Sequence, residues 1–194
     1  MSEPILSILI PSIKRHKEKL TELLNDLNSQ AANFSGMVEI LINEDENEST
    51  GTKRNQLLKE ATGKYVVSVD ADDEVPPYYI QEILRAAQYD TDCIGVSGLM
   101  TTNSLDEIGW ELSKDFENDT VVRNGRKFYI RKTNHIAPVK RSIALLAGFP
   151  DGVSNGEDKA YSDKLNQFLK TEHKIEASPM YYYRYETGQK EYLK

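Results

Sequence analysis

Asp70-Ala71-Asp72-Asp73 places three carboxylates within four residues, directly after the apolar run Tyr65–Val69. Carboxylates this close repel one another unless a cation neutralises them. At a strand end in a ligand cleft, the chemistry this suggests is a hard divalent cation shared with substrate phosphates, since Mg²⁺ and Mn²⁺ take oxygen ligands and one or two carboxylates suffice. The plainer reading is a solvated acidic turn. A second acidic pair, Glu157-Asp158, stands at the start of a helical stretch. There a carboxylate either caps the helix or, held by backbone N–H groups and the helix dipole, serves as a base.

The surrounding elements must bring these residues together. Ile5–Ile10 reads as a buried strand ended by Pro11 and Ser12. Lys17–Gln30 reads as a helix, with Leu20, Leu23, Leu24 and Leu27 on one face. Met37–Ile42 is a second strand, leaving through the polar, acidic segment Asn43–Thr50. Lys53–Thr62 reads as a helix, with Gly63 at the expected C-terminal cap. Tyr65–Val69 is a third strand. Pro76 and Pro77 open a helix over Tyr78–Tyr89, and Cys93–Leu99 is a fourth strand. Alternating strands and helices imply a parallel sheet covered on both faces, with ligands at the C-terminal strand edge. Residues Thr101–Asn134 are less regular, with short strands expected near Ile108–Leu112, Val121–Val122 and Phe128–Arg131. Lys140–Ala147 and Asp158–Leu169 read as helices, and Lys174–Tyr185 as an extended segment closing the site.

The chain has 194 residues, 24 Lys+Arg against 31 Asp+Glu, and a formal net charge of −7. The expectation is one domain over residues 1–194, with a nucleotide-binding half (1–100) and an acceptor-side half (101–194). A hydrophobic fraction of 39% supplies a core that disordered chains lack. No apolar run is long enough to span a membrane, and no signal peptide is evident, so a cytoplasmic location is expected. Without such a signal, the Asn-x-Ser/Thr matches at Asn33, Asn47 and Asn118 read as chance. A lone cysteine, Cys93, excludes a disulfide framework. The acidic balance disfavours nonspecific nucleic-acid binding. Two acidic motifs fail: Glu74 stands where a haloacid-dehalogenase-type phosphatase needs Thr or Val, and Val75 and Gln81 stand where an EF-hand needs Gly and Glu.

Four segments in order carry a resemblance. Ile8-Leu9-Ile10-Pro11-Ser12, then Lys53-Arg54-Asn55 with Ala61-Thr62-Gly63-Lys64-Tyr65 and Asp70-Ala71-Asp72-Asp73, then Gly148-Phe149-Pro150 with Glu157-Asp158, and finally Tyr181-Tyr182-Tyr183-Arg184 are similar to the motif series of the GT-A glycosyltransferases, in particular family 2. The resemblance covers about residues 5–185. It implies an α/β, Rossmann-like fold with a central, mainly parallel sheet flanked by helices. It also implies inverting transfer of a sugar from a nucleotide-diphosphosugar, with a UDP-sugar as the expected donor and Mn²⁺ or Mg²⁺ as cofactor.

On this resemblance Pro11, Ser12 and Lys14 border the base and ribose, and Glu44 and Asp45 hold the base. Arg54 approaches the base or the Asp-rich loop. Asp70, with Ala71, binds ribose or supports that loop. Asp72, with Asp73, contacts the metal. Asp158 is the general base for the acceptor hydroxyl, and Glu157 positions the base or the acceptor. His135 binds metal or steadies acceptor or phosphate. Lys140, on the acceptor side, and Arg184 stabilise the diphosphate leaving group. Trp110 stacks on an acceptor sugar or anchors packing. Tyr181, Tyr182, Tyr183, Tyr185 and Tyr192 form an aromatic cluster, mostly packing. His16 and His173 have no comparable context.

Two alternatives stand beside this reading. A nucleotidyltransferase of related fold needs a Gly-bearing loop after the first strand, and Pro11–Arg15 has none. A noncatalytic nucleotide-sugar-binding module would not need both acidic motifs. The acceptor stays open among saccharide, lipid-linked sugar, protein and modified nucleic acid. The basic stretch Arg123, Arg126, Lys127, Arg131 and Lys132 reads first as a solvated face of the irregular segment and second as a patch for the last of these. A partner protein or a second copy of the chain is a further expected associate.

Overall fold

Leu6–Pro11 is apolar on both sides of its pleat, and all six residues are buried, which requires cover on both faces of a sheet. In the computed structural model, which describes residues 3–185, this segment is strand β1. It pairs in parallel with β2 (Val38–Asn43) and with β3 (Tyr65–Ser68). Its alternation sorts the core. Leu6, Ile8 and Ile10, with Tyr65 and Val67, pack against Leu20, Leu23 and Leu27 of α1 (Lys17–Ala31) and Ile80, Ile83 and Leu84 of α3 (Tyr79–Ala87). Leu9 and Val66 face the other way. They meet Leu57 and Leu58 of α2 (Thr50–Glu60), Ala144 and Ala147 of α4 (Arg141–Ala147), and Tyr161 and Leu165 of α5 (Glu157–Leu165). Each large side chain buried this way contributes about 1.5–3 kcal/mol.

The central sheet has the order β10-β4-β9-β3-β1-β2, where β4 is Cys93–Gly95, β9 is Val139–Lys140 and β10 is Glu172–Lys174. Only the two-residue β9 runs antiparallel to its neighbours, so the sheet is mainly parallel but mixed. Lys140 pairs with Tyr65, at the start of β3. This strand was not anticipated.

The expected fourth strand is two strands. β4 ends at Gly95, and the chain passes through Val96 into a second sheet as β5 (Ser97–Thr102). That sheet, β11-β5-β6-β8-β7, also contains β6 (Leu105–Leu112), β7 (Asp119–Arg123), β8 (Arg126–Arg131) and β11 (Tyr181–Tyr185). The irregular half is therefore largely strand. Its closing strand reaches back to the first sheet's loop: Glu74 and Tyr182 exchange backbone hydrogen bonds of 3.2 and 2.9 Å.

Helix ends also differ from expectation. Ser49 Oγ accepts the Thr52 N–H at 3.2 Å and starts α2 earlier than Lys53. The helix stops at Glu60, and Gly63 is not its cap. A Cβ there would collide with Ser7 Oγ and lie 2.8 Å from Ser7 N, so glycine permits the turn to approach β1, and its N–H donates to Ser7 Oγ at 2.8 Å. Among the described residues, no helix is long and apolar enough to cross a membrane.

Candidate active site

Parallel pairing puts the C-terminal ends of β1, β2 and β3 at one edge, so Ser12, Glu44 and Asp70 emerge together. The Asp-rich turn closes through an Asp73 N–H to Asp70 O hydrogen bond of 3.1 Å. Its three carboxylates meet three environments. Asp70 Oδ1 accepts from Arg54 Nη2 at 2.7 Å, and Asp70 Oδ2 lies 3.6 Å from His135 Nε2. Burial alone would raise the Asp70 carboxyl, but the Arg54 guanidinium and then His135 outweigh it and hold the group well below the usual carboxylate range. Asp72 has His16 Nδ1 at 3.6 Å, and burial raises its carboxyl.

Asp73, expected at the metal with Asp72, has another task. It is buried, its Oδ2 accepts the Tyr181 hydroxyl at 2.7 Å, and its Oδ1 accepts the Arg184 N–H at 2.8 Å. Burial and then the nearby Asp70 charge push it well above the ordinary range. The Tyr181 hydroxyl in turn accepts the Asp70 N–H at 3.1 Å. Asp73 and Tyr181 therefore tie the turn to β11. Ala71 is buried in the core beneath the turn.

Helix α2 connects the two sides of the site. Arg54 is 3% exposed, and its Nε lies 3.7 Å from Glu157 Oε1 while Nη2 holds Asp70. Its Cζ sits 5.7 Å from the Phe149 ring centre. Its neighbour Lys53 is 2% exposed and donates Nζ to the Ser12 carbonyl at 2.6 Å, supporting the turn that follows β1. Asn55 clamps the segment before α5, donating to Phe149 O and accepting from Phe149 N, both at 2.8 Å. Lys53 and Asn55 belong to the quoted motif, yet their roles were not read from it.

On the expected nucleotide side, Ser12 is buried and its N–H reaches Asn43 O at 2.8 Å. Glu44 and Asp45 are exposed. Asp45 Oδ1 is occupied by the N–H and side-chain amide of Asn47, at 2.9 and 3.0 Å. Lys14 is exposed and paired with Glu46 at 2.9 Å.

On the other side lies a cavity of about 520 Å³, lined in part by Asp70, Trp110, Tyr129, His135, Asp158 and Tyr183. Asp158 stands in the first turn of α5, behind Gly156 in the left-handed region (φ 80°), and its Oδ1 accepts the Lys159 N–H at 2.7 Å. Glu157 is buried beside Arg54, and burial raises its carboxyl. His135 is also buried, with neither ring nitrogen hydrogen-bonded among the described residues. Trp110 both lines the cavity and packs edge-on against Tyr181, with ring centres 6.1 Å apart.

Of the two expected leaving-group cations, one lies away from the site and the other stands beside the Asp-rich turn with its guanidinium already paired. Lys140 sits opposite Tyr65, away from the Asp70 end of β3, and pairs with Asp90 at 3.1 Å and Asp92 at 3.7 Å. The Arg184 guanidinium grips Glu74 at 3.1 and 3.2 Å, leaving its backbone N–H for Asp73. His16, set aside on sequence grounds, is in contact with Asp72, whereas His173 stacks on Tyr89 with ring centres 3.8 Å apart. Tyr192 lies outside the described residues.

Among the described residues no three His, Cys, Asp or Glu side chains form a metal-ligating group. The donor set still suits a hard cation completed by a ligand's phosphates, because one or two carboxylates are its usual protein share. Asp72 is the carboxylate of the turn not held by an arginine or buried under β11.

Comparison with known proteins agrees with this architecture. The profile described as Glycosyl transferase family 2 matches residues 21–144. S. aureus TarS 1–349 in complex with UDP-GlcNAc is similar at 16% identity and a TM-score of 0.66, covering 92% of this chain and 58% of that one. The same protein in complex with UDP is similar at 17% identity and a TM-score of 0.65, covering 92% and 60%. The catalytic domain of Drosophila β1,4-galactosyltransferase 7, complexed with xylobiose, follows at 12% identity and a TM-score of 0.54, covering 91% and 66%. The chain thus spans about three fifths of TarS 1–349 and 36% of the longer TarS chain it also matches. No curated protein sequence is significantly similar to it.

Proposed function

The chain belongs to glycosyl transferase family 2, and from that membership we propose that it moves a sugar from a nucleotide-diphosphosugar to an acceptor hydroxyl, with inversion at the anomeric carbon. The observation that carries this reading is the convergence of Asp70, His135 and Asp158 on one cavity, with Arg54 buried behind them. A UDP-sugar is the donor favoured here, because the similar TarS chains are complexed with UDP-GlcNAc and UDP.

Ser12, Glu44 and Asp45 stand at the strand ends where the base and ribose would lie, with the Ser12 turn steadied from below by Lys53. Asp72 would hold a divalent cation together with the donor's phosphate oxygens. Such a cation would neutralise the leaving diphosphate as a Lewis acid. Asp70, fixed by Arg54, orients the turn. Asp158 takes the proton from the acceptor hydroxyl as that oxygen attacks the anomeric carbon and the bond to the nucleoside diphosphate breaks. His135, with Nε2 near Asp70 and neither ring nitrogen hydrogen-bonded among the described residues, is placed to hydrogen-bond a phosphate or sugar hydroxyl. Alignment of donor and acceptor supplies much of the acceleration.

A panel of UDP-sugars incubated with Mn²⁺ tests this function through UDP release. Release from at least one donor is expected, and Asp72→Ala should abolish both it and the Mn²⁺-dependent part of UDP affinity measured by calorimetry. Unaltered affinity in Asp72→Ala would remove Asp72 from the metal, and no release from any donor would count against turnover.

A further inference from the structure

The chain is acidic overall, yet the hairpin of β7 and β8 with Lys132 carries five cations and one carboxylate, Asp119. Strand alternation divides those cations between two faces. On the far face Arg123 is neutralised by Glu111 at 2.8 Å. On the cavity face stand Lys127, Tyr129 and Arg131. Tyr129 and Arg131 line the cavity, while Lys127 extends the row beyond its rim. Lys127 Nζ and Arg131 Cζ lie 4.7 and 4.5 Å from the same Tyr129 ring centre. Arg131 Nη1 is anchored on the carbonyls of Asp119 and Ile130. Neither cation has a carboxylate within ion-pair distance among the described residues, although Lys132, also on the cavity wall, pairs with Glu117 at 2.9 Å.

An aromatic ring eases the crowding of two cations but leaves both charges in place. Such a row beside a cleft raises the local concentration of an anionic ligand. Trp110, opposite Tyr129 in the register, and Tyr183 complete an aromatic wall suited to sugar rings.

We propose that the acceptor is an anionic saccharide, bearing phosphate or carboxylate groups, whose chain leaves the cavity across Arg131, Tyr129 and Lys127. This rests on the glycosyltransferase reading and names the class of its second substrate. A nucleic acid is the less favoured occupant. Two unpaired cations offer few phosphate contacts, and the acidic remainder of the chain opposes a long polyanion.

The test measures binding of four probes at low salt in the presence of UDP and Mn²⁺: phosphorylated mannopentaose, a galacturonate hexamer, neutral mannopentaose and single-stranded hexathymidylate. At least one anionic saccharide should bind about tenfold or more tightly than neutral mannopentaose, and more tightly than hexathymidylate. Lys127→Glu, on an exposed side chain, should erase most of that preference without changing the melting temperature, and Lys127→Gln should lose part of it. The two anionic arms show whether phosphate or carboxylate is preferred. Equal affinity for charged and neutral saccharides, no saccharide binding, or preference for hexathymidylate would each overturn the proposal. UDP affinity, measured alone, separates these results from failure of the transferase reading, which would remove UDP binding itself.

Discussion

Asp158→Asn is expected to keep donor affinity and to lose sugar transfer by about 10²–10⁴-fold, the usual contribution of a positioned general base. The substitution preserves size and can still accept the Lys159 N–H through the amide oxygen, so the first turn of α5 should keep its geometry. What disappears is the ability to take a proton. Asp158 lines the cavity with Asp70 and His135, and its neighbour Glu157 is committed to a buried position beside Arg54. If Asp158 served only to hold the first turn of α5, Asn, which keeps that hydrogen bond, would leave both stability and turnover largely intact. Steady-state rates with a turned-over donor, set beside calorimetric UDP affinity, distinguish the two. Unchanged turnover in Asp158→Asn would take Asp158 out of the base role.

Arg54→Met is expected to destabilise the fold by about 3 kcal/mol, the lower end of the cost of removing one partner of a buried ion pair. The lower end applies because the Asp70 side chain is 26% exposed, while Arg54 and Glu157 are 3% and 8% exposed. Methionine fills much of the arginine's volume, so the loss comes from two carboxylates left without their cation rather than from a void. The effect has a defined pH dependence. In the native chain Asp70 titrates below its ordinary value of 3.8, so its contribution is present above 3.8 and is lost as pH falls below it. In Arg54→Met that contribution is missing from the start. The stability gap between the two proteins should therefore be widest near neutral pH and narrow as pH drops below 3.8. Denaturant titrations across that range measure it, and a gap independent of pH would show that Arg54 acts by packing alone.

What could be read from the sequence was what depends on short spacing. The Asp-rich turn, the helix carrying Arg54 and the acidic start of α5 are local patterns, and each sits at the edge expected. Roles set by long-range contacts were not legible. Asp73 looks like its neighbours in sequence, but Tyr181, 108 residues away, decides its role by covering it. His16 acquires meaning only because α1 begins beside Asp72. Lys140, five residues after His135, was expected to stabilise the diphosphate by its charge. Between them the chain turns antiparallel, so that the His135 carbonyl meets Ser68 near the end of β3 while Lys140 meets Tyr65 at its start. The second sheet was hidden for a similar reason: Cys93–Leu99 is one apolar run, and nothing local marks Val96 as the point where it changes sheets.

The most direct test of the account is a crystal structure with UDP and Mn²⁺. The account predicts the uracil and ribose beside Ser12, Glu44 and Asp45, the diphosphate and Mn²⁺ at Asp72, and the cavity bearing Asp158 open beyond the β-phosphate. UDP bound elsewhere on the molecule, or at this edge without any contact to the Asp70–Asp73 turn, would contradict it.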